Sequence, residues 1–148
     1  PAAAAAMTHR LLWPLGLAAC LVAPGAGTVP YPHSMDTSFG PLQFMEFGDS
    51  HGPLVVAIHG SRDVEEVRQE WTPTAERLAA DGFHVLAPDF HHAPKPLQPG
   101  SMTSKSVRTL MLELAKHHNS PSLFVMGKSW GSRMAAQASL LEEVTGTV

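Results

Sequence analysis

The sequence predicts an α/β fold in which a mostly parallel sheet carries helices on both faces. Three short, predominantly apolar runs have the character of strands that are buried on both sides. Each run is followed by a segment with helical periodicity, and this alternation is typical of an open parallel sheet. The composition agrees, since 44% of the 148 residues are apolar and 16% are charged, as in a globular chain.

The predicted elements begin with a hairpin strand and a buried strand. Apolar residues alternate in part over residues 42–47, and the segment ends at a turn-rich cluster, which favours a hairpin strand. The uninterrupted apolar run 54–58 is typical of a strand covered on both faces of a parallel sheet. Residues 28–40 come before these strands, with prolines, turn residues and no apolar period, and they predict a linker or an extended lead-in to the domain.

A helix and a second buried strand follow. Thr72 is a suitable N-cap, and Pro73 suits the first helical position because its missing N–H costs nothing there. Gly82 suits the residue after the helix end. Residues 83–87 then predict a strand that ends at Pro88.

The rest of the chain repeats the alternation. A proline-rich segment over residues 89–100 predicts a surface loop, and a helix with an apolar stripe begins near Ser104. A third apolar run at residues 122–126 predicts another buried strand. Apolar and small residues over 134–141 mark one face of a helix directly behind it.

The turn between the third strand and its helix carries the strongest functional motif. Residues 127–131 form G-x-S-x-G, whose glycines permit a tight, strained turn that lifts Ser129 clear of the sheet. Backbone N–H groups at the start of the helix would converge on the oxyanion formed when the hydroxyl attacks a carbonyl. The alternative interpretation is a helix cap with flanking turn glycines.

With this motif in place, the chain resembles the α/β-hydrolase family from about residue 42 to its last residue. His59 and Gly60, which follow the first buried strand, are similar to the oxyanion loop of the family. Residues 80–89 are similar to its helix, turn and strand ending in Pro-Asp, and residues 127–131 to its nucleophile elbow. The resemblance implies the α/β-hydrolase fold.

The resemblance also implies a role for each site residue. Ser129 is the nucleophile, and the backbone N–H groups of Trp130 and Ser61 form the oxyanion hole. His59 supports the oxyanion loop and is not the catalytic base. Three glycines support the two turns: Gly60, Gly127 and Gly131.

The chain departs from the family pattern after the elbow. In the family, an acid and then a histidine follow the serine on later loops. Here no histidine follows Ser129, and the carboxylates that do are Glu142 and Glu143, while Asp89 is expected to turn the loop after its strand. We therefore expect the N-terminal part of a longer protein, truncated after the elbow helix and inactive by itself. We also expect the strand before Ser129 to be an open edge of the sheet.

The first residues predict a targeting signal. Met7 is the better initiation candidate, and it is followed by a basic segment, an apolar run over residues 11–22 and small residues up to 27. The predicted organisation is thus upstream residues plus a signal peptide over 1–27, a linker over 28–40 and an incomplete α/β-hydrolase domain over 41–148. The expected location is secreted, with an organelle transit peptide or a membrane anchor as the alternative.

The composition excludes several kinds of partner. A formal net charge of −3 is not that of a nucleic-acid binder. The pairs His91-His92 and His117-His118 contain metal-ligating side chains, but adjacent residues point apart, so no metal is expected. The elbow motif lacks the features of phosphate and dinucleotide loops, so no cofactor is expected.

Two functions from different classes remain. The first is a serine hydrolase that acts on a small-molecule ester, thioester or amide through an acyl-enzyme on Ser129. The second is a non-catalytic binding or interaction module with the same fold, which the missing acid and histidine would permit.

Overall fold

The computed structural model describes residues 33–60, 64–120 and 122–148. These residues form a sheet with helices on both faces. The elements in chain order are β1 (His33–Thr37), β2 (Gly40–Phe47), β3 (Leu54–Ile58), α1 (Val64–Ala80), β4 (His84–Pro88), α2 (Ser104–His117), β5 (Leu123–Gly127), α3 (Trp130–Ala138) and β6 (Val144–Thr147).

The strands lie in the order β1-β2-β4-β3-β5-β6. Strand β2 pairs antiparallel with β1 and with β4, whereas β3, β4, β5 and β6 pair in parallel. The mostly parallel sheet predicted from the apolar runs is confirmed. The parallel arrangement brings the carboxyl ends of β3, β4 and β5 to one end of the sheet, where ligands bind in such folds.

The core has two layers because side chains alternate across each strand. On one face, Val56 and Leu86 pack with buried residues of α2 and α3, including Leu110. On the other face, Val55 packs with Trp71 and other buried residues of α1. The sheet is therefore covered on both sides, which explains why its central strands consist mostly of apolar residues.

Helix α1 begins earlier than the sequence predicts. It contains Thr72 and Pro73 in its interior, so Thr72 is not an N-cap. The Thr72 hydroxyl donates to the Arg68 carbonyl across 2.7 Å, and Pro73 lies on the exposed side of the helix. Burial of Trp71 and Ala75 against the sheet holds this turn helical despite the proline.

Two strands were missed at the sequence level. Strand β1 lies within the segment predicted to be a linker over 28–40, so from His33 onward that segment belongs to the sheet. Strand β6 pairs with β5, so the prediction that β5 is an open edge is wrong. Both are edge strands in which few residues are buried, and they therefore lack the apolar runs of the central strands. The targeting signal predicted over 1–27 lies outside the described residues.

The predicted helix near Ser104 is confirmed as α2. Thr103 caps it: the Thr103 hydroxyl accepts the Ser106 N–H, and the Ser106 side chain accepts the Thr103 N–H in return. The proline-rich loop before it is packed against the core through Phe90, Ala93 and Leu97. In the described part of the chain, no helix combines the length and the apolar character needed to cross a bilayer.

Candidate active site

Ser129 lies in the sharp turn that connects β5 to α3. Its backbone has φ 55° and ψ −116°, a conformation that side chains with a β-carbon rarely adopt. The residue is exposed, and among the described residues no side chain hydrogen-bonds its hydroxyl. The turn therefore holds a strained serine whose oxygen faces outward at the carboxyl end of the sheet.

The two glycines of the motif are required by close backbone contacts. A β-carbon at Gly131 would lie 2.0 Å from the carbonyl oxygen of Ile58, and one at Gly127 would lie 2.2 Å from that of Gly131. Neither carbonyl belongs to a flexible side chain, so the backbone itself would have to move. The absence of side chains at these positions lets α3 start directly against the ends of β3 and β5.

The predicted oxyanion loop approaches the same turn. The Lys128 N–H donates to the Ile58 carbonyl across 3.1 Å, and a β-carbon at Gly60 would lie 3.2 Å from Cβ of Ser129. His59 and Gly60 are thus brought beside Ser129. Ser61, the predicted second oxyanion donor, lies outside the described residues.

Trp130 supplies the first free N–H of helix α3. The first N–H groups of a helix have no acceptor within the helix, and among the described residues none accepts from Trp130. The next two N–H groups are already used within the turn, because Gly131 donates to Lys128 and Ser132 to Ser129. The Trp130 N–H is therefore available to a negative oxygen at this helix end.

The His59 ring is buried and both of its nitrogens have partners. Its Nε2 accepts the Phe90 N–H across 2.9 Å, so Nδ1 carries the proton and donates to the Gly60 carbonyl. Burial lowers the pKa of His59, and charge repulsion from the neighbouring His91 lowers it further, against the opposing effects of the Gly60 carbonyl and Asp89. This ring ties the loop after β3 to the loop after β4.

Asp89 turns the loop after β4, as expected. One carboxylate oxygen accepts the N–H groups of His91 and His92 at 2.9 and 3.2 Å, and the other lies 2.7 Å from Nδ1 of His92. All of these partners lie within three residues of Asp89. The carboxylate is therefore used locally.

Two ion pairs involve Lys128 of the elbow and Glu143 after it. The Lys128 ammonium forms an ion pair with Glu70 of α1. Glu143, one of the carboxylates after the elbow, lies 3.8 Å from Arg108 of α2. No local sequence signal identifies Glu70 or Phe90 as neighbours of the site. The Glu70–Lys128 ion pair and the Phe90–His59 hydrogen bond each join segments that are far apart in the sequence.

The chain is similar to proteins named as epoxide hydrolases. It is 26% identical over 115 residues to Epoxide hydrolase A of Mycobacterium tuberculosis (strain ATCC 25618 / H37Rv), covering 76% of this chain and 35% of that protein. Among solved structures, an epoxide hydrolase from an endophytic Streptomyces matches with a TM-score of 0.60 and 26% identity, over 76% of this chain and 34% of that one. Epoxide Hydrolase A from Mycobacterium thermoresistibile matches with a TM-score of 0.64 and 24% identity, over 80% and 38%.

No protein-family model matches the chain. The chain spans about a third of the length of the relatives it matches.

Proposed function

We propose that this chain, which has the α/β-hydrolase fold, carries the nucleophile of a serine hydrolase that acts by acyl transfer. The observation that supports this proposal best is the turn at Ser129. Its strained backbone presents the hydroxyl to solvent, beside the free N–H of Trp130 and the loop through Gly60. The proposed substrates are small-molecule esters, thioesters or amides.

The proposed reaction has two stages. The Ser129 oxygen forms a bond to the carbonyl carbon and loses its proton to a histidine base, while the carbonyl electron pair moves to the oxygen. That oxyanion accepts hydrogen bonds from Trp130 N–H and, in the proposal, Ser61 N–H. The tetrahedral intermediate then collapses and expels the alcohol, thiol or amine, which takes the proton from the histidine. Water attacks the acyl-enzyme by the same steps and releases the acid.

The proposal needs a base and an acid for Ser129. The described residues place neither beside its hydroxyl, and both nitrogens of nearby His59 have partners. A hydroxyl without a base is a weak nucleophile. We therefore expect residues 1–148 by themselves to show little turnover, and the full-length protein to supply a histidine and its acid from other residues.

Epoxide hydrolysis is the second candidate, because the relatives carry that name. The chemistry of a serine elbow disfavours it. Attack of the Ser129 oxygen on an epoxide carbon would open the ring and leave an ether, which has no carbonyl for water to attack. An acyl-serine is an ester that water can hydrolyse. Epoxide opening at this site would therefore need water itself as the nucleophile.

The test is covalent labelling of the full-length protein with a fluorophosphonate, together with ester and epoxide turnover assays. Ser129→Ala should abolish labelling and lower ester kcat by about 10⁶-fold. Ser139→Ala is the matched control, since Ser139 is also exposed but follows the far end of α3. Ser139→Ala should keep both the labelling and the ester turnover of the parent protein.

Two results would contradict the proposal. Epoxide turnover that survives Ser129→Ala, with no ester turnover in the parent protein, would favour the water mechanism. A folded full-length protein with neither labelling nor turnover would favour the non-catalytic binding module instead.

We also propose that the protein is exported, on the basis of the targeting pattern in residues 1–27. The N-terminal mass of protein recovered outside the cell should correspond to cleavage near residue 27. Recovered protein that still contains residues 11–22 would contradict the proposed cleavage.

A further inference from the structure

The end of the sheet opposite Ser129 gathers a carboxylate and two imidazoles from three different elements. Glu46 lies near the end of β2, His84 begins β4, and His118 directly follows α2. Strand β2 runs antiparallel to β4, which brings Glu46 beside the start of β4, and the His118 ring contacts the His84 ring there at a centroid distance of 4.8 Å. One ligand atom from each residue lies within 4.8 Å of the ligand atoms of the other two.

The ring nitrogens in this group do not all have hydrogen-bond partners among the described residues. The His84 side chain is fully buried, and its Nε2 lies 2.7 Å from Oε1 of Glu46. The Nε2 of His118 is also buried and has no hydrogen-bond partner in the described part of the chain. A buried polar atom without a partner is costly and uncommon, so this nitrogen points to a ligand that the protein atoms do not supply.

The chemistry of the three side chains suits a metal ion. They supply two imidazole rings and one carboxylate, with ligand atoms within 4.8 Å of one another. Metal ions bind the neutral form of histidine together with ionised carboxylates.

We propose that Glu46, His84 and His118 form a binding site for one zinc ion. Two imidazole nitrogens and one carboxylate oxygen are a typical ligand set for zinc, a borderline-soft ion that prefers four tetrahedral ligands. Ligand atoms in such a site lie roughly 3.3 Å apart. Glu46 must therefore move slightly away from His84, and ligand atoms that now lie up to 4.8 Å apart must move closer together.

The fourth position has a nearby candidate on β1. His33 Nδ1 lies 3.5 Å from the second carboxylate oxygen of Glu46, and its side chain is about half exposed. This ring and water are the two sources of a fourth ligand.

The proposed ion would act on the fold. It would join the end of α2, whose His118 ring contacts the His84 ring, to strands β2 and β4, which already pair with each other. The site is at the opposite end of β4 from the loop that contacts His59. Zinc should therefore stabilise the protein without taking part in chemistry at Ser129.

Zinc titration of the metal-free, untagged full chain tests the proposal. We expect saturable binding of one ion per chain and a thermal transition that rises with zinc concentration. Cobalt, used as a spectroscopic substitute, should give the strong visible absorption of a tetrahedral site. His118→Gln and Glu46→Gln should each weaken zinc binding by about 100-fold or more.

His117→Gln is the matched control. His117 is exposed, adjacent in sequence to His118 and outside the proposed ligand set, so its loss should leave affinity and stoichiometry unchanged. Circular dichroism of each variant establishes that it is folded, and Glu46→Gln serves if His118→Gln does not fold.

Three results would overturn the site. They are the absence of saturable zinc binding to the folded parent, full binding by both ligand variants, and a loss in His117→Gln as large as that in His118→Gln.

Discussion

The Phe90 N–H donates to Nε2 of His59 and joins the segments that follow β3 and β4. This bond requires an imidazole that is not protonated at Nε2. The proton on Nδ1 is used at the same time, because it is donated to the Gly60 carbonyl. Protonation of His59 would therefore break a contact that positions the loop beside Ser129.

The stability of the protein should decrease in acid because of this bond. Burial lowers the pKa of His59 in the folded state below its ordinary value of 6.5. Below about pH 6.5, the unfolded chain binds a proton that the folded chain does not, so the free energy of unfolding falls as the pH falls. Above that pH the contribution of His59 is complete. Urea unfolding at pH 7 and pH 5 measures the difference.

His59→Gln is the comparison for this effect, because glutamine does not titrate. The other histidines are the same in both proteins, so the variant should lose less stability than the parent between pH 7 and pH 5. Equal losses in both proteins would show that His59 is not responsible.

A β-carbon at Gly131 should lower the free energy of unfolding far more than one at a glycine with open surroundings. Gly131→Ala places the new carbon 2.0 Å from the Ile58 carbonyl oxygen and should cost more than about 3 kcal/mol. Gly100→Ala is the control, because Gly100 has φ +86° but nothing within 4 Å. It should cost about 1 kcal/mol from backbone strain alone. Similar unfolding free energies for the two variants would contradict the close contact.

Strain at Ser129 predicts an unusual order of stability. Ser129→Gly should be more stable than Ser129→Ala by about 1 kcal/mol, because glycine adopts φ 55° without strain. At Ser139, which has φ −62° and ψ −14°, the same pair should show the reverse order. Thermal unfolding of the four variants measures both differences, and the same order at both positions would argue against strain in the elbow.

The capping box of α2 should contribute measurably to stability. Thr103→Ala removes the side-chain acceptor for the Ser106 N–H and should lower the free energy of unfolding by about 1 kcal/mol. Thr103→Ser retains that oxygen and should stay within a few tenths of a kcal/mol of the parent. If serine and alanine at this position cost the same, the cap is not the source of the loss.

The central strands and α2 could be predicted because their signals are local. Strand β3 is an unbroken apolar run, and α2 has an apolar stripe with helical spacing. In β1 only Met35 is buried, so no alternation marks the strand. The sequence predicts that α1 starts at Pro73, which is too late in the chain. Packing of that helix against the sheet outweighs the local preference of a proline.

The elbow could also be predicted, since its glycines and Ser129 lie within five consecutive residues. The group formed by Glu46, His84 and His118 could not. The sequence shows only adjacent histidine pairs, whereas this group depends on β2 running antiparallel to β4 and on where α2 ends. Such a combination becomes visible only after the strand order is known.

Because main-chain contacts fix Ser129, its position does not depend on the side chains of the surrounding loops. Its position is set by main-chain atoms, namely the carbonyl of Ile58 against Gly131 and the backbone of Gly60 against its β-carbon. Exchanges of side chains elsewhere leave these atoms where they are. Surrounding loops can therefore accumulate substitutions, and so change what they recognise, while the hydroxyl stays in the same place.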